Sequence, residues 1–239
     1  MEKYEIVSFI PAKGISRRIP RKNIKMLAGK PMIAWTIEAS LESKYIDRTF
    51  VSTEDKEVKE IALEYGAEVI DRPAEFSQGE IPTDFAYYHF KYSLWKEKYK
   101  PDYVIFLFPT SPLRTEEHID EAFELYFKSE SPLLTSFTVS HTSPSGAYFI
   151  NKSGKAEHTL RESALRDFHI NKDQRPGTYR ANPGAIAIGP YFGIDFQTFQ
   201  YIGYDQPYIM KPEDSIDVDT EFDFKIAEML LKERIKKED

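Results

Sequence analysis

The sequence predicts an α/β protein with an open, mostly parallel sheet and helices on both faces of that sheet. Short apolar runs alternate with amphipathic segments through the first 130 residues, which is typical of strand–helix–strand units. Residues 102–109 (DYVIFLFP) are apolar almost without interruption, as expected of a strand that is buried on both faces. Ligands of such sheets bind beyond the carboxyl ends of the strands, so the loops after SFI, FVST and FLF should converge on one site.

The predicted elements follow one another regularly. Apolar, β-rich runs predict strands at 4–10 (YEIVSFI), 48–53 (RTFVST), 67–73 (AEVIDRP) and 102–109. Amphipathic runs predict helices at 31–43, 54–66, 84–99, 116–129 and 221–238. Pro31 suits the first turn of the first helix, Ser52 or Thr53 is expected to cap the second helix, and Gly66 is expected to close it.

The alternation weakens between residues 132 and 182. Residues 143–155 (SPSGAYFINKSGK) have the turn residues of a hairpin, and a polar, basic stretch follows as far as Tyr179. We interpret 132–182 as a small inserted lobe or dimerisation arm within a single domain that spans 1–239. The apolar run 183–190 (PGAIAIGP) then predicts a return to the sheet.

Composition excludes several classes of protein. The chain has no cysteine, which excludes disulfides, thiolate catalysis and thiolate zinc sites. A formal net charge of -7 argues against a nucleic-acid coat protein or a general membrane-surface binder. No stretch approaches the roughly 18 to 20 apolar residues that span a bilayer, and MEKYEIVSFIPAKG lacks the basic start of a secretory signal. We therefore expect a cytoplasmic protein that binds neither nucleic acid nor membrane.

One segment departs from this acidic average. Between Glu5 and Glu38 there is no acidic residue but there are seven basic ones: Lys13, Arg17, Arg18, Arg21, Lys22, Lys25 and Lys30. Charge alone would fit a solvated loop equally well. However, residues 11–23 (PAKGISRRIPRKN), hereafter the phosphate loop, follow a predicted strand, where a glycine-bearing loop exposes N–H groups that complement a polyphosphate. The loop matches neither the Walker A pattern nor GxGxxG, which disfavours the ATPases and NAD enzymes with those motifs.

A second candidate site is the acidic segment 214–220 (DSIDVDT). Asp217 and Asp219 project to one side if this segment is extended. Two close carboxylates repel each other unless a cation or a shared proton relieves them, and Mg²⁺ binds a few carboxylates together with phosphate oxygens and water. The alternative is a hydrated turn in which Asp219 and Thr220 cap the last helix.

Two further loops have polar residues at the ends of strands. Residues 108–114 (FPTSPLR) follow the most apolar strand, and Thr110, Ser111 and Arg114 either reach a site at this edge or cap and cover the next helix. Arg72 and Pro73 follow another strand, where they fit a surface turn as well as a binding loop.

Together these segments resemble one family, the CMP-sialic acid synthetases and their relatives for legionaminic, pseudaminic and 3-deoxy-octulosonic acids. Residues 11–39 are similar to the signature PARGGSKGIPxKNIxxLxGKPLIAxTIxAA of that family, and the similarity continues through 51–76, 108–123 and 208–228. The resemblance implies a Rossmann-like nucleotidyltransferase sheet. It also implies transfer of CMP from CTP to the anomeric 2-hydroxyl of a sialic-acid-like 2-keto sugar acid with release of pyrophosphate, Mg²⁺ as cofactor, and a homodimer.

The resemblance assigns roles to residues at matching positions. Lys13, Lys22 and Asp219 would act in catalysis, and Asp217 and Asp219 would bind the metal. The nucleotide-binding positions are Ala12, Lys13, Gly14, Ser16, Arg17, Lys22, Asn23, Arg72 and Thr83, the last two beside the cytosine. The sugar-binding positions are Thr110, Ser111, Arg114, Lys172, Arg180 and Asn182. The general base stays open between a hydroxyl polarised by the metal and a carboxylate such as Asp219.

Four features depart from the family pattern. Ile15 replaces a small residue, Arg18 replaces a glycine, and 180–186 (RANPGAI) has one extra residue. Phe108 stands where sialic-acid enzymes have a glutamine that touches the acceptor, and it cannot make the same hydrogen bonds. This favours a sugar other than N-acetylneuraminic acid, or a shifted pose. The alternatives are an enzyme for a 3-deoxy-octulosonic acid, another sugar nucleotidyltransferase, or a non-catalytic nucleotide-binding regulatory module.

Overall fold

The computed structural model describes residues 3–77, 81–140, 147–150, 152–159, 178–192 and 205–238. The strands of this part of the chain are β1 (Ile6–Pro11), β2 (Met26–Leu27), β3 (Lys30–Pro31), β4 (Arg48–Thr53), β5 (Glu68–Asp71), β6 (Tyr103–Phe106), β7 (Leu134–Val139), β8 (Tyr148–Ile150), β9 (Ala156–His158), β10 (Tyr179–Ala181), β11 (Ala187–Pro190) and β12 (Gln206–Met210). Its α-helices are α1 (Met32–Glu42), α2 (Lys56–Glu64), α3 (Thr83–Lys96), α4 (Glu116–Lys128) and α5 (Glu221–Glu238). Short 3-10 helices lie at Lys22–Ile24, Ala74–Ser77 and Pro212–Asp214.

The centre of the fold is an eight-stranded sheet in the order β10-β7-β11-β6-β1-β4-β5, with β12 also paired to β7. The ladders β6–β1, β1–β4, β4–β5 and β12–β7 are parallel. β11 pairs antiparallel with β6 and β7, and β10 pairs antiparallel with β7. The predicted open, mostly parallel α/β sheet is confirmed. Because β1, β4, β5 and β6 run in the same direction, their carboxyl ends lie at one edge.

Helices cover both faces of the sheet, as predicted. Side chains alternate between the faces along each strand, so Ile6 and Ile10 of β1 pack in a core with residues of α1, α2 and α4. Val7 and Phe9 point the other way and pack with residues of α3. None of the described helices combines the length and the apolar character that a bilayer span requires.

A third apolar core joins loops that are far apart in the sequence. It contains Ile19 of the phosphate loop, Leu113 after β6, Val218 between the two aspartates, and Phe224 of α5, all of them buried. Burial of apolar surface is the dominant favourable term in packing. This core therefore holds the basic and acidic segments against each other at one edge of the sheet.

The predicted ends of two helices are partly wrong. Asp55, rather than Ser52 or Thr53, caps α2, and its carboxylate accepts from the N–H groups two and three residues further on, at 3.0 Å each. The physical reason is that β4 continues through Thr53, which leaves Asp55 as the first residue able to turn its side chain onto the helix. Gly66 follows α2 at a φ of 87°, as expected of its predicted role. Pro31 is the N-cap residue of α1 and not part of its first turn.

The segment 132–182 lies partly in the central sheet. β7 and β10, near its two ends, pair with each other. The predicted hairpin is present as β8 and β9, which pair antiparallel. Because β7 and β10 belong to the central sheet, an inserted lobe can comprise at most residues 140–178. Most of that range lies outside the described residues, and its role as a dimerisation arm stays a prediction.

Candidate active site

A cavity of about 340 Å³ lies beyond the carboxyl ends of β1, β5 and β6. The predicted site residues that line it are Lys13, Ser16, Arg17, Lys22, Asn23, Arg72, Thr83, Thr110 and Asp219. Ile15, Arg18 and Phe108, which depart from the family pattern, line it as well. Of the three loops expected at this edge, those after β1 and β6 reach the cavity, and the loop after β4 holds cavity residues in place.

Position 14 of the phosphate loop requires glycine, because the backbone there passes very close to the Asp55 side chain. The Gly14 N–H group donates to Glu54 Oε1 at 2.9 Å and is therefore engaged within the protein, whereas the sequence suggested that it faces a ligand. A Cβ at this position would lie 2.3 Å from Asp55 Oδ2. The phosphate loop thus rests directly on the turn between β4 and α2.

Arg21 anchors the other end of the phosphate loop. Its backbone lies in the left-handed region at a φ of 56°, which is unfavourable for residues other than glycine. Its guanidinium donates to both oxygens of Asp55 at 2.5 and 3.0 Å and to Glu57 Oε2 at 2.5 Å. These charge-assisted hydrogen bonds hold the unfavourable backbone in place and leave the next residue, Lys22, at the cavity.

Lys22 connects the basic loop to the acidic segment. Its Nζ donates to the Val218 carbonyl at 2.7 Å and lies 3.3 Å from Asp219 Oδ1. Arg18 forms a second ion pair, at 2.6 Å, with the other oxygen of Asp219. Asn23 Nδ2 donates to the Lys13 carbonyl at 2.8 Å and so braces the loop internally. Two cations and one carboxylate therefore meet at the wall of the cavity.

The surroundings of Asp217 disfavour its ionised form more than those of a surface carboxylate do. Burial, together with the charge of Asp219, raises the pKa of Asp217. The hydrogen bond from the Thr110 hydroxyl and the charges of Lys22 and Arg180 oppose this shift. The raised pKa marks a site where an added cation would be stabilising.

Asp219 is ionised more readily. Burial acts against its charge, but Arg18 and Lys22 outweigh burial and lower the pKa of Asp219. The Val218 N–H group donates to the Thr110 carbonyl at 2.7 Å and fixes the backbone between the two aspartates. The described residues contain no group of three or more His, Cys, Asp or Glu that could hold a metal ion. A metal at the aspartates would therefore need further oxygen ligands from a substrate or from water.

Arg72 and Ser77 form the opposite side of the cavity. The Arg72 side chain is 4% exposed, and its Nη2 donates to Glu54 Oε2 at 2.8 Å. Ser77 Oγ donates to the same oxygen at 2.5 Å. Phe76 and Thr83 line this side as well. The Arg–Pro pair is therefore not a surface turn, because Arg72 is buried at the cavity; its contact with a nucleobase stays a prediction.

Some predicted residues lie behind the cavity. Ala12 is buried, and its N–H group donates to the Ser52 carbonyl at 2.9 Å. Ser111 and Arg114 are buried beneath the strand ends. Arg114 Nη1 donates to the Ala185 carbonyl at 2.9 Å, and burial lowers the pKa of Arg114 to about 9. The structure thus places these residues where they support the cavity, outside its lining.

The remaining predicted residues lie beside the acidic segment. Asn182 Nδ2 donates to Ser215 Oγ at 3.0 Å and so holds the chain just before Asp217. Arg180 lies exposed on β10, and its charge acts on Asp217. Lys172 lies outside the described residues.

The decisive comparison is with a family profile. The profile described as "Cytidylyltransferase" matches residues 7–173. The chain belongs to the cytidylyltransferase family.

Curated cytidylyltransferases match nearly the whole chain. A CMP-N,N'-diacetyllegionaminic acid synthase of Legionella pneumophila is 31% identical over 95% of this chain and 96% of its own length. A pseudaminic acid cytidylyltransferase of Campylobacter jejuni is 29% identical over 93% of this chain and 94% of its own length. An N-acylneuraminate cytidylyltransferase of Escherichia coli is 32% identical over 93% of this chain, which spans only 51% of that relative.

Solved structures agree on the fold of the cytidylyltransferase. A CMP:2-keto-3-deoxy-manno-octonic acid synthetase complexed with CTP has a TM-score of 0.69 at 16% identity, covering 96% of this chain and 99% of that one. A 4-diphosphocytidyl-2C-methyl-D-erythritol synthase has a TM-score of 0.65 at 12% identity, covering 96% and 100%. At these identities the similarity concerns the architecture alone.

Sequence reasoning missed Phe76 and Ser77, which line the cavity of this cytidylyltransferase, and Glu54, which lies behind that lining. Glu54 accepts hydrogen bonds from the phosphate loop and from Arg72 and Ser77. The available signal was its position directly after β4, whose loop was expected at the site. The adjacent Asp55 is also acidic, and which of the two carboxylates reaches the phosphate loop N–H group and Arg72 depends on the partners that the fold brings to each.

Proposed function

We propose that this cytidylyltransferase transfers CMP from CTP to the anomeric 2-hydroxyl of a sialic-acid-like 2-keto sugar acid. The hydroxyl oxygen bonds to the α-phosphorus of CTP, the bond from that phosphorus to the departing pyrophosphate breaks, and the hydroxyl proton is lost. The names of the relatives, for legionaminic, pseudaminic and N-acylneuraminic acids, support this acceptor class. The observation that carries the proposal is the meeting of Lys22, Arg18 and Asp219 at the wall of a cavity of about 340 Å³.

The cations of the phosphate loop suit this chemistry. Lys13, Arg17 and Lys22 line the cavity from one side. Negative charge accumulates on phosphate oxygens as pyrophosphate departs, and preorganised cations stabilise it without reorganising during the step. Lys22 is held by a backbone carbonyl, so its position does not depend on substrate.

We propose Mg²⁺ as the cofactor, held by Asp217 and Asp219. Carboxylate oxygens are ligands that Mg²⁺ prefers, and the repulsion that contributes to the raised pKa of Asp217 is relieved by a cation. When bound, Mg²⁺ would neutralise charge on the phosphates of CTP. The two aspartates supply only part of a coordination shell, which fits a metal that arrives with its nucleotide.

The test is a pyrophosphate-release assay with all four nucleoside triphosphates and a panel of 2-keto sugar acids, with product masses determined in parallel. We expect turnover with CTP and a nonulosonic acid, and a product with the mass of its CMP derivative. Release of pyrophosphate only with a 3-deoxy-octulosonic acid would show instead that the protein is an enzyme for that acceptor. CTP binding without turnover on any acceptor, unchanged by Asp217→Ala, would indicate the regulatory module.

We also propose a homodimer. The hairpin strand β8 exposes Tyr148 and Ile150 on one face and Phe149 on the other, at 54%, 68% and 50%, and large exposed apolar side chains are common at interfaces. Light scattering after gel filtration should give twice the chain mass, and a monomer at all concentrations would contradict the proposal. The cytoplasmic location stays a prediction.

A further inference from the structure

Glu54 contacts both the phosphate loop and the opposite side of the cavity. Its Oε1 accepts the N–H group of Gly14 at 2.9 Å. Its Oε2 accepts Arg72 Nη2 at 2.8 Å and Ser77 Oγ at 2.5 Å. The side chain is 13% exposed, and it lies outside the lining of the cavity that Arg72 and Ser77 line.

We propose that Glu54 is a positioning residue that sets the separation between the phosphate loop and the Arg72–Ser77 side of the cavity, and with it the fit of the nucleotide. The inference rests on the proposed use of CTP. With its phosphates on the cations of the phosphate loop, CTP would extend its base towards the Arg72–Ser77 side and so would contact both sides of the cavity. A carboxylate that binds both sides fixes the distance that the nucleotide has to span.

The three hydrogen-bond donors around Glu54 favour its ionised form. Burial acts to raise the pKa of Glu54, but the hydrogen bonds from Ser77, Arg72 and Gly14 outweigh it and lower the pKa. A carboxylate has two acceptor oxygens and no hydrogen, so it satisfies donors on both sides. An amide in its place would keep one acceptor oxygen and turn an N–H₂ group towards a donor.

Arg72 depends on Glu54 for its orientation. Within the described part of the chain Glu54 is the acidic partner of Arg72, and Arg72 Nε is buried without a hydrogen-bond partner. Without that carboxylate, the buried guanidinium would lose the ion pair that orients it and would have to turn towards other acceptors. Loss of Glu54 would therefore displace a cavity-lining cation and release the phosphate loop at Gly14 in one step.

The test uses Glu54→Gln in the full chain, with affinities measured by calorimetry in the absence of acceptor. We expect CTP to bind about 10- to 100-fold more weakly, the range for hydrogen bonds to charged groups. Tripolyphosphate and cytidine should each lose less than CTP, because each fragment contacts one side only. At saturating CTP, kcat and the KM for the acceptor should stay within about threefold of wild type.

Two further variants separate positioning from general stability. Glu68→Gln breaks another arginine–glutamate pair between the same two strands, that of Arg48 and Glu68, at the end away from the cavity. Its CTP affinity should stay within about twofold of wild type. Ser77→Ala removes one donor and leaves the carboxylate, so we expect a smaller loss of CTP affinity, about 3- to 10-fold.

The outcomes are distinct. A CTP affinity within twofold of wild type for Glu54→Gln would overturn the proposal, and so would equal losses for CTP and for both fragments. If Glu54→Gln does not fold, Ser77→Ala takes its place in the test, and a CTP affinity within twofold of wild type for Ser77→Ala would overturn the proposal. If wild-type protein binds CTP but turns over no acceptor, the proposed function fails while the calorimetric comparison still tests Glu54.

Discussion

Strands β4 and β5 are joined by an arginine–glutamate pair at each end, and the two pairs are built differently. At the amino end, Arg48 donates to both oxygens of Glu68 at 2.7 and 2.5 Å, and the side chains are 29% and 48% exposed. At the carboxyl end, Arg72 and Glu54 are nearly buried and share a single contact of 2.8 Å. The first pair is bidentate and partly exposed, whereas the glutamate of the second also accepts hydrogen bonds from Gly14 and Ser77 and its arginine lines the cavity.

The same contrast holds for the two ends of the sheet. At the amino end, carboxylates close the strands: Asp102 accepts the N–H group of Glu5 at 2.8 Å, and Asp47 accepts that of Ile6 at 2.9 Å. At the carboxyl end, cations line a cavity. Charges at the amino end should therefore act on stability, and the cations that line the cavity should act on ligands and on catalysis.

The largest expected effect is that of Lys22→Ala. Removing one preorganised charge stabiliser lowers kcat by about 10²- to 10³-fold, and the lost hydrogen bond to the Val218 carbonyl lowers the free energy of unfolding by about 1 to 3 kcal/mol. The matched control is Lys25→Ala, in which the lost lysine pairs with Glu221 and lies outside the cavity lining. Steady-state kinetics and thermal melting check both variants. Equal losses of kcat in the two variants would show that a charge lining the cavity matters no more for catalysis than a charge outside it.

Gly14→Ala should affect both stability and binding, because Gly14 lies where the phosphate loop meets β4. The new Cβ would lie 2.3 Å from Asp55 Oδ2, and Asp55 is held by Arg21 and by the N–H groups of α2. We expect a loss of about 1 to 3 kcal/mol in the free energy of unfolding and a higher KM for CTP. In denaturant unfolding, Gly184→Ala is the control for stability, since its Cβ would have only ordinary contacts of 3.5 Å. Equal stability losses in both variants would argue against a specific clash.

His118 offers a pH-dependent contribution to stability at the carboxyl end, outside the cavity. Its Nδ1 accepts the Thr115 N–H at 3.0 Å, and its Nε2 lies 3.4 Å from Asp214. Burial lowers the pKa of His118 below its ordinary 6.5, although Asp214 and Glu121 act the other way and Arg234 acts with burial. The unfolded chain therefore binds the proton more readily, and stability should fall as the pH drops below about 6.5.

His118→Gln tests this contribution. Glutamine can accept the same N–H group at this position of the helix but does not titrate. The free energy of unfolding measured between about pH 7.5 and about pH 5.5 should fall less steeply for the variant than for wild type. Identical slopes would show that other groups govern the pH dependence.

The smallest expected effect concerns the exposed arginine–glutamate pair at the amino end of β4 and β5. A double-mutant cycle on Arg48 and Glu68 should give a coupling energy of about 0.2 to 1 kcal/mol, as for other exposed pairs, with kcat unchanged. The same cycle on Arg72 and Glu54 should give a larger coupling, because removing one partner leaves a nearly buried charge. Similar couplings at the two ends would mean that burial makes no difference here.

Local pattern predicted some elements to the residue and others not at all. The alternation of RTFVST and the periodicity of the last helix are complete within single segments, so β4 and α5 begin and end where expected. The strands β7 and β10 were assigned to an insertion, because their pairing depends on partners elsewhere in the chain. Arg114 looked like a surface or site residue, and its burial against the Ala185 carbonyl, 71 residues away, has no local signal.

The candidate site was likewise predictable where local pattern is enough, and unpredictable where contacts between distant segments decide. Residue type and loop position were enough to find Lys22 and Asp219, which the structure brings together. They were not enough to choose Glu54 over Asp55, because each carboxylate is defined by the donors that surround it in space.

The meeting of Lys22 with Asp219 also sets an order of events during synthesis. The two residues are 197 positions apart, and the core that holds them includes Val218 and Phe224. Contacts of such long sequence separation are costly to close and form late. Because Ile19 of the phosphate loop packs in this same core, a growing chain completes the packing of that loop only when the segment around Val218 and Phe224 has docked. Until then Lys22 lacks both of its partners in the acidic segment, the Val218 carbonyl and the Asp219 carboxylate.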